Sequence, residues 1–392
     1  MQYRPDKKGR PVSILGYGCL RFTKTAGRVD LIKAEEEIMA AVRAGVNYFD
    51  TAYVYPGSEA ALGRILEKNR CREKVMIATK LPHYLVKSRE GLEKLFLEEL
   101  RRLRTDYVDY YLMHMLTDLE TWQRLESLGI REWLAEQQAA GRIGGVGFSY
   151  HGHREAFQQL VDAYPWDLCQ IQYNYLDEHS QAGRKGLEYA RAKGLPVIVM
   201  EPLRGGKLVE LLPREAKAMI RRNPRRYSAA EWGLRWLWDQ EAVTCVLSGM
   251  NSLAMVKENC RVADQVRPGG FTAEDFALIE GVKEAARAAT KAACTGCGYC
   301  MPCPRNVDIP GTFTCYNAMY AESPKAGRKD YLRCTALRKR QSSASFCAGC
   351  GKCESRCPQG LPVRRLLAEA AGELETPYYR LVRWAVKRFG LW

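Results

Sequence analysis

Two cysteine-dense runs near the C-terminus constrain this chain more than any other feature. They read Cys294-Thr295-Gly296-Cys297-Gly298-Tyr299-Cys300-Met301-Pro302-Cys303-Pro304 and Cys347-Ala348-Gly349-Cys350-Gly351-Lys352-Cys353-Glu354-Ser355-Arg356-Cys357-Pro358. The second run spaces three cysteines two residues apart and adds a fourth, followed by proline, three residues later. Thiolates at that spacing ligate a [4Fe–4S] cubane, and two such runs supply enough thiolates for two cubanes. Zinc ribbons would leave the third and fourth cysteine of each run surplus. Disulfides need an oxidising compartment, and no apolar leader opens the chain. The expected setting is reducing and cytoplasmic, in an organism that tolerates oxygen-labile clusters. Cys71, Cys169, Cys245 and Cys260 are expected to pack as small hydrophobes.

Where two cubanes share such loops, the fourth cysteine of each run ligates the other cluster. That assigns Cys294, Cys297, Cys300 and Cys357 to one cluster, and Cys347, Cys350, Cys353 and Cys303 to the other. The first run departs from the spacing, because only Met301 and Pro302 separate Cys300 from Cys303. Pro302 and Pro304 bias the residues before them toward extended backbone, which is expected to let Cys303 reach the distal cluster. Cys315 and Cys334 are its rivals as ligands.

At 392 residues the chain exceeds one typical domain. Its formal charge of +15 favours acidic partners such as nucleotide phosphates or an acidic electron-transfer protein. No motif that reads DNA or RNA is present, so nucleic acid is not an expected partner. No stretch approaches the ~20 apolar residues that span a bilayer, so the chain is not expected to be transmembrane.

Residues 12 to about 265 alternate short apolar runs with amphipathic ones. The strand candidates are Ile14–Tyr17, Val46–Phe49, Val75–Ala78, Val108–Met113, Gly145–Phe148, Leu168–Ile171, Val197–Met200 and Val243–Leu247. Each is short and rich in β-branched or aromatic residues, as parallel strands buried on both faces are. Helical patterns cover Leu31–Arg43, Ser58–Glu67, Arg89–Leu103 and Leu119–Ala139, and Ser228 with Glu231 marks a capping box. The alternation predicts a (β/α)8 TIM barrel followed by a small helical and loop-rich cluster domain. The expected boundaries are a barrel over 1–268, a connecting helix over 269–290, a two-cluster domain over 291–375 and a basic, aromatic tail helix over 376–392. The polar stretch Ser323–Ser345 carries no chemistry of its own on this reading.

Barrel chemistry sits at the C-terminal ends of the strands. Reading those ends gives Asp50, Lys80 and His114, with Tyr55 five residues past Asp50. Singly, each has an ordinary structural explanation; at successive strand ends they form a set. Hydride reduction of a carbonyl builds negative charge on oxygen, and a proton donor must meet it. A tyrosine with pKa near 10 donates poorly at neutral pH unless a cation stabilises its phenolate. Lys80 would supply that charge, and Asp50 would pair with Lys80. His114 would hydrogen-bond the substrate oxygen.

The segments Asn47–Tyr55, Ala78–Lys80, Tyr111–His114, Gly141–Ser149 and Gln170–Tyr173 resemble the aldo/keto reductase superfamily. The whole chain resembles its subgroup with a C-terminal two-cluster ferredoxin-type domain. The resemblance implies a barrel, carbonyl or alcohol substrates, and NADPH (or NADH). It implies cofactor contacts at Gly18 and Cys19, at Ser149 and Gln170 for the nicotinamide carboxamide, and at Ser248, Met250 and Asn251 for phosphate. Glu258 and Asn259 match the adenine contacts. Met200 stands where the family often stacks a tyrosine, and Lys257 or Arg261 would decide NADPH against NADH. Pro82–Lys87, Tyr150–His153 and Leu203–Leu212 are the candidate substrate walls. The expected function is NADPH-dependent carbonyl/alcohol interconversion with two clusters for electron transfer. The alternatives are a reductase driven by the clusters without hydride chemistry, or an electron carrier whose barrel senses nucleotide.

Overall fold

The computed structural model describes residues 1–392 apart from 153, 180, 338, 339 and 390–392. Eight parallel strands close a barrel: β1 (Leu15–Gly18), β2 (Tyr48–Asp50), β3 (Met76–Leu81), β4 (Val108–Leu116), β5 (Ile143–Tyr150), β6 (Leu168–Gln172), β7 (Val197–Met200) and β8 (Cys245–Ser248). Each pairs with its sequence neighbours, and β8 returns to β1 with Leu247 opposite Gly16. The closed sheet has no edge, so every central backbone group finds a partner.

Strand side chains alternate between two faces. Tyr48, Ala78, Tyr110, Leu112, Leu168, Ile198, Cys245 and Leu247 form one packed core, with Met76 and Met200 against it. Two residues further along their strands come Asp50, Lys80, His114 and Gln170, which therefore continue the same inward columns into a polar top layer. Gly16 is required here: a Cβ would stand 2.7 Å from Leu247 and 2.8 Å from the Cys245 sulfur. A short antiparallel pair, Tyr3–Pro5 with Pro11–Ser13, precedes the barrel. Its turn residue Asp6 takes a 2.5 Å hydrogen bond from Tyr110, near the start of β4, so this pair lies at the opposite end of the barrel from the polar layer.

Three strands run two or more residues further than their sequence patterns suggest. β3 continues to Leu81 and β4 to Leu116 because Leu81 pairs with Met113 and Leu116 with Tyr150. β5 likewise takes in Ser149 and Tyr150, opposite Gln170 and Ile171. Leu119–Ala139 is two helices, not one: Leu119–Ser127 and Ile130–Ala139, divided at Gly129 with φ +77°, a conformation that ends a helix. Cys71, Cys169, Cys245 and Cys260 are buried, as expected.

The chain forms two compact units, and they do not follow the sequential boundaries. Met1–Pro202 and Gly233–Phe271 make one; Leu203–Trp232 and Thr272–Trp392 make the other. The excursion after β7 therefore belongs with the cysteine-rich region, not with the 1–268 span. The reason is packing: in the second unit the helix Arg214–Arg222 lies along the helix Ala273–Ala289. Arg225 also bonds Asp275 at 2.7 Å. The helix expected as a connector is thus part of this unit, and a Thr272–Asp275 capping box starts it.

The core of the second unit gathers Val307, Ile309, Phe313, Tyr316, Tyr331, Leu367 and Tyr379. Cys294, Cys300, Cys303, Cys334, Cys347 and Cys353 pack against it. The tail forms the helix Pro377–Phe389, with Tyr379 and Val386 buried and Tyr378, Leu381 and Trp384 exposed. The tail's last residues, 390–392, lie outside the described ones.

Candidate active site and cluster loops

The polar layer at the barrel mouth rests on one buried ion pair. Lys80 Nζ donates to both Asp50 oxygens at 2.6 and 2.7 Å and to the Thr51 carbonyl at 2.7 Å. Lys80 is 1% exposed and Asp50 3%. Burial pushes the Asp50 carboxyl up, and the Lys80 ammonium, then the Gln170 amide, oppose that rise. A carboxylate held against a full positive charge and sealed from water is costly to break on either side. The Thr51 carbonyl was not foreseen, because a main-chain ligand leaves no signal in a residue pattern.

Tyr55 enters from the turn after β2, where its N–H bonds the Ala52 carbonyl and Ser58 closes back on the Tyr55 carbonyl. Gly57, with φ +78°, then allows the helix Ser58–Lys68 to begin. Lys80 Nζ stands 5.2 Å from the centre of the Tyr55 ring, and the His114 ring meets that ring edge-on at 5.9 Å. The predicted four thus lie together. Burial, then the positive Lys80, push His114 well down, so it stays neutral. Its Nδ1 is buried without a hydrogen-bond partner.

The other expected contacts fall into two groups. Ser149 Oγ accepts from the Met115 N–H at 2.8 Å, so it also fixes the bulged end of β4 beside His114. Gln170 places its amide nitrogen 3.7 Å from the Met200 sulfur, and its Oε1 is buried without a partner. An orphaned acceptor there fits an amide donor such as a nicotinamide carboxamide. The second group lies where β8 meets β1. Gly18 pairs with Asp50, and buried Cys19 offers its carbonyl to Ser58 Oγ at 3.0 Å. Asn259 donates to Ser248 Oγ at 3.0 Å. Met250 is buried, its carbonyl held by the Tyr17 hydroxyl at 2.7 Å, while Thr23 holds the Asn251 carbonyl at 3.2 Å.

Lys257 is exposed and Glu258 half-buried on the helix Leu253–Gln265, where Arg261 bonds Gln265 at 3.0 Å. Arg21 was missed. The aliphatic stem of its side chain packs so close to Gly249 that a Cβ there would meet the Arg21 Cδ at 2.9 Å, beside the turn expected to hold phosphate. His151 and His83 also lie close to His114 at this end of the barrel. Burial pulls each down to about 4. Of the candidate substrate walls, His153 lies outside the described residues.

The cysteine runs fold as two copies of one loop. Gly296 and Gly298 have φ of +76° and +83°; Gly349 and Gly351 have +69° and +74°. With glycine in that conformation the chain curls around its first thiol: Gly296 N–H reaches Cys294 Sγ at 3.4 Å, and Gly349 N–H reaches Cys347 Sγ at 3.5 Å. Cys294, Cys297, Cys300 and, from the other run, Cys357 line one cavity with Phe313, Pro358 and Leu361. Burial, then the neighbouring thiols Cys294, Cys297 and Cys357, push Cys300 up to about 12. The thiols ring a void instead of converging on a point; among the described residues no three His, Cys, Asp or Glu side chains could hold a single ion. That geometry fits a polynuclear cluster. Each loop also carries a cation. Lys207 donates to the Cys294 carbonyl at 2.9 Å, and Arg364 to the Gly349 carbonyl at 3.4 Å. The Met301–Pro302 peptide is cis.

The "Aldo/keto reductase family" model matches residues 14–284, and a "4Fe-4S dicluster domain" model matches residues 293–362. The chain belongs to the aldo/keto reductase family and carries a dicluster domain behind the reductase region. It is 26% identical over 297 residues to an L-galactose dehydrogenase of Arabidopsis thaliana, covering 70% of this chain and 92% of that one. It is 27% identical over 219 residues to a glyoxal reductase of Bacillus subtilis, covering 54% of this chain and 72% of that one. Among solved structures, the barrel superposes on an aldo-keto reductase of Klebsiella pneumoniae in complex with NADPH. The TM-score is 0.58 and the identity 22%, over 71% of this chain and 94% of that one.

Proposed function

We propose that this protein reduces a small carbonyl compound with NADPH (or the reverse), using Tyr55 as proton donor, and that its second unit holds two [4Fe–4S] clusters. The carrying observation is Lys80, clamped by Asp50 and the Thr51 carbonyl beneath the Tyr55 ring. A bound nicotinamide supplies the hydride. As the carbonyl carbon takes it, the Tyr55 O–H gives its proton to the carbonyl oxygen, and the Lys80 charge stabilises the phenolate left behind. Neutral His114 orients that oxygen without adding a charge of its own. Gln170 and Ser149 would hold the carboxamide, and Ser248, Asn251 and Arg21 the phosphates, with Lys257 favouring the additional phosphate of NADPH. The neighbour bound to NADPH supports the cofactor, and the relatives named as sugar dehydrogenase and glyoxal reductase support polyols and short carbonyls as the substrate class.

The clusters would be held by Cys294, Cys297, Cys300 and Cys357, and by Cys347, Cys350, Cys353 and Cys303, where they supply one-electron transfer. The positive surface suits an acidic redox protein as partner. The decisive test is Tyr55→Phe assayed with NADPH against aldehydes and ketones. Turnover on an accepted substrate should drop by about 10² to 10⁴; unchanged turnover would refute the proton-donor role. Cluster reoxidation by a substrate in the absence of NADPH would favour the cluster-driven alternative instead.

A further inference from the structure

The second unit contains a pair of thiols that neither cluster needs. Cys315 lies in the helix Ile309–Ala321, and Cys334 in the turn after the helix Pro324–Tyr331. Their sulfurs stand 3.7 Å apart. Cys334 occupies the middle of a five-residue π-helical turn, Leu332–Ala336; such turns are rare and concentrate at functional sites. This places chemistry in a stretch from which none was expected.

Cys315 lies in the small core of the second unit, and Cys334 packs against that core together with thiols of both cysteine loops. Phe313 walls the first cavity, and Cys315, two residues on and so about 200° around the same helix, faces away from it. On the other side Cys334 Sγ contacts the Tyr331 carbonyl at 3.6 Å, and the Tyr331 hydroxyl accepts from the Ala344 N–H at 2.7 Å. Ala344 in turn bonds the N–H of Cys347, the first ligand of the second loop.

We infer that Cys315 and Cys334 form a redox-active dithiol that exchanges an electron pair with the two clusters. This rests on the two-cluster reading above. In the oxidising direction two S–H bonds break and one S–S bond forms, releasing two protons and two electrons, one for each cubane. A disulfide needs the sulfurs at about 2.05 Å, so they must close by roughly 1.7 Å, a side-chain movement. The hydrogen bond between the thiols, and then burial, push Cys315 up, so protons and electrons leave together. The dithiol would let a two-electron donor or acceptor communicate with one-electron centres.

The test is a stepwise reductive titration of anaerobically purified, full-length holoprotein, with iron counted per chain and thiols alkylated at each poise for mass analysis. Oxidised wild-type protein should take up about four electrons per chain with about eight irons bound. The peptide pair containing Cys315 and Cys334 should resist alkylation until reduced. Cys315→Ser and Cys334→Ser should keep their iron and take up about two electrons. Wild type that takes up about two electrons with about eight irons, both thiols alkylated throughout, overturns the inference without recourse to any variant. Loss of about four irons in either variant overturns it too, by making the residue a cluster ligand. Wild type with far fewer than eight irons refutes the two-cluster reading separately, and the alkylation pattern then decides for or against the dithiol.

Discussion

The barrel mouth and the cluster loops solve the same problem, holding reactive groups in place, by opposite means. At the mouth, Asp50, Lys80 and His114 stand on paired strands, and the ion pair is already closed at 2.6 Å. In the loops, the thiols stand on glycine-hinged backbone, and Cys294, Cys297, Cys300 and Cys357 face a void. They also pack against the small core that holds the unit together. The barrel site is therefore preformed, whereas on the two-cluster reading proposed above the second unit would draw its order in part from its ligand.

Removing iron should break that symmetry most forcefully. Structural metal binding is worth on the order of 10 kcal/mol in small metal-dependent domains. Chelation under reducing conditions should cost the second unit much of its helicity and open 291–362 to protease. Leu203–Trp232, which packs within the same unit, should be cut as well, while the barrel's aromatic circular dichroism persists. Apoprotein as protease-resistant as holoprotein in both segments would show that the loops, too, are preformed.

How each region could be read from sequence follows from the same contrast. The ends of the apolar strand runs announced Asp50, Lys80 and His114 as a set, and the family resemblance added Gln170. Fixed spacing announced the cysteine loops, while the matching left-handed glycines appeared only in the structure. What stayed hidden depends on distant partners. Cys315 and Cys334, 19 residues apart, meet only through helix packing. The recruitment of Leu203–Trp232 depends on the helix Ala273–Ala289, and Arg21 reaches Gly249 only once β8 closes on β1. Gly129 did carry a local signal for its helix break, but the amphipathic pattern continues across it.

Breaking the preformed ion pair should produce the next largest effect. Lys80→Met leaves Asp50 as a lone buried carboxylate, which costs about 3 to 5 kcal/mol. Thermal unfolding of the barrel should fall accordingly, and Asp50→Asn in the same chain should recover part of the loss without restoring turnover. Equal stability of Lys80→Met and wild type would show that water reaches the pair.

Acid sensitivity sharpens the comparison further. His151 is buried, its Nδ1–H donating to Gln181 Oε1 at 3.2 Å, and burial lowers it to about 4. The unfolded chain takes up this proton near pH 6.5, the folded chain only near 4. Stability is therefore full above about pH 6.5 and is lost as pH falls toward 4, by about 2 kcal/mol at pH 5 for this one group. His151→Gln should flatten the decline of the unfolding midpoint between pH 7 and pH 5. An unchanged slope would assign the barrel's acid response to other groups.

The smallest effect concerns the cations on the loops. Lys207 donates to the Cys294 carbonyl beside the first cavity, and a Cβ on Gly296 would stand 3.3 Å from its ammonium. Adding an electron to a cluster raises its negative charge, so a nearby cation favours the reduced state and raises the potential. Lys207 lies in the excursion after β7, which belongs to the same unit as the loop it touches. Lys207→Gln keeps a hydrogen-bond donor but removes the charge, and should lower one of the two cluster potentials by on the order of 50 mV, about tenfold in the one-electron equilibrium. Arg364→Gln should act on the other. Identical titrations for Lys207→Gln and wild type would leave Lys207 as a structural brace of the loop.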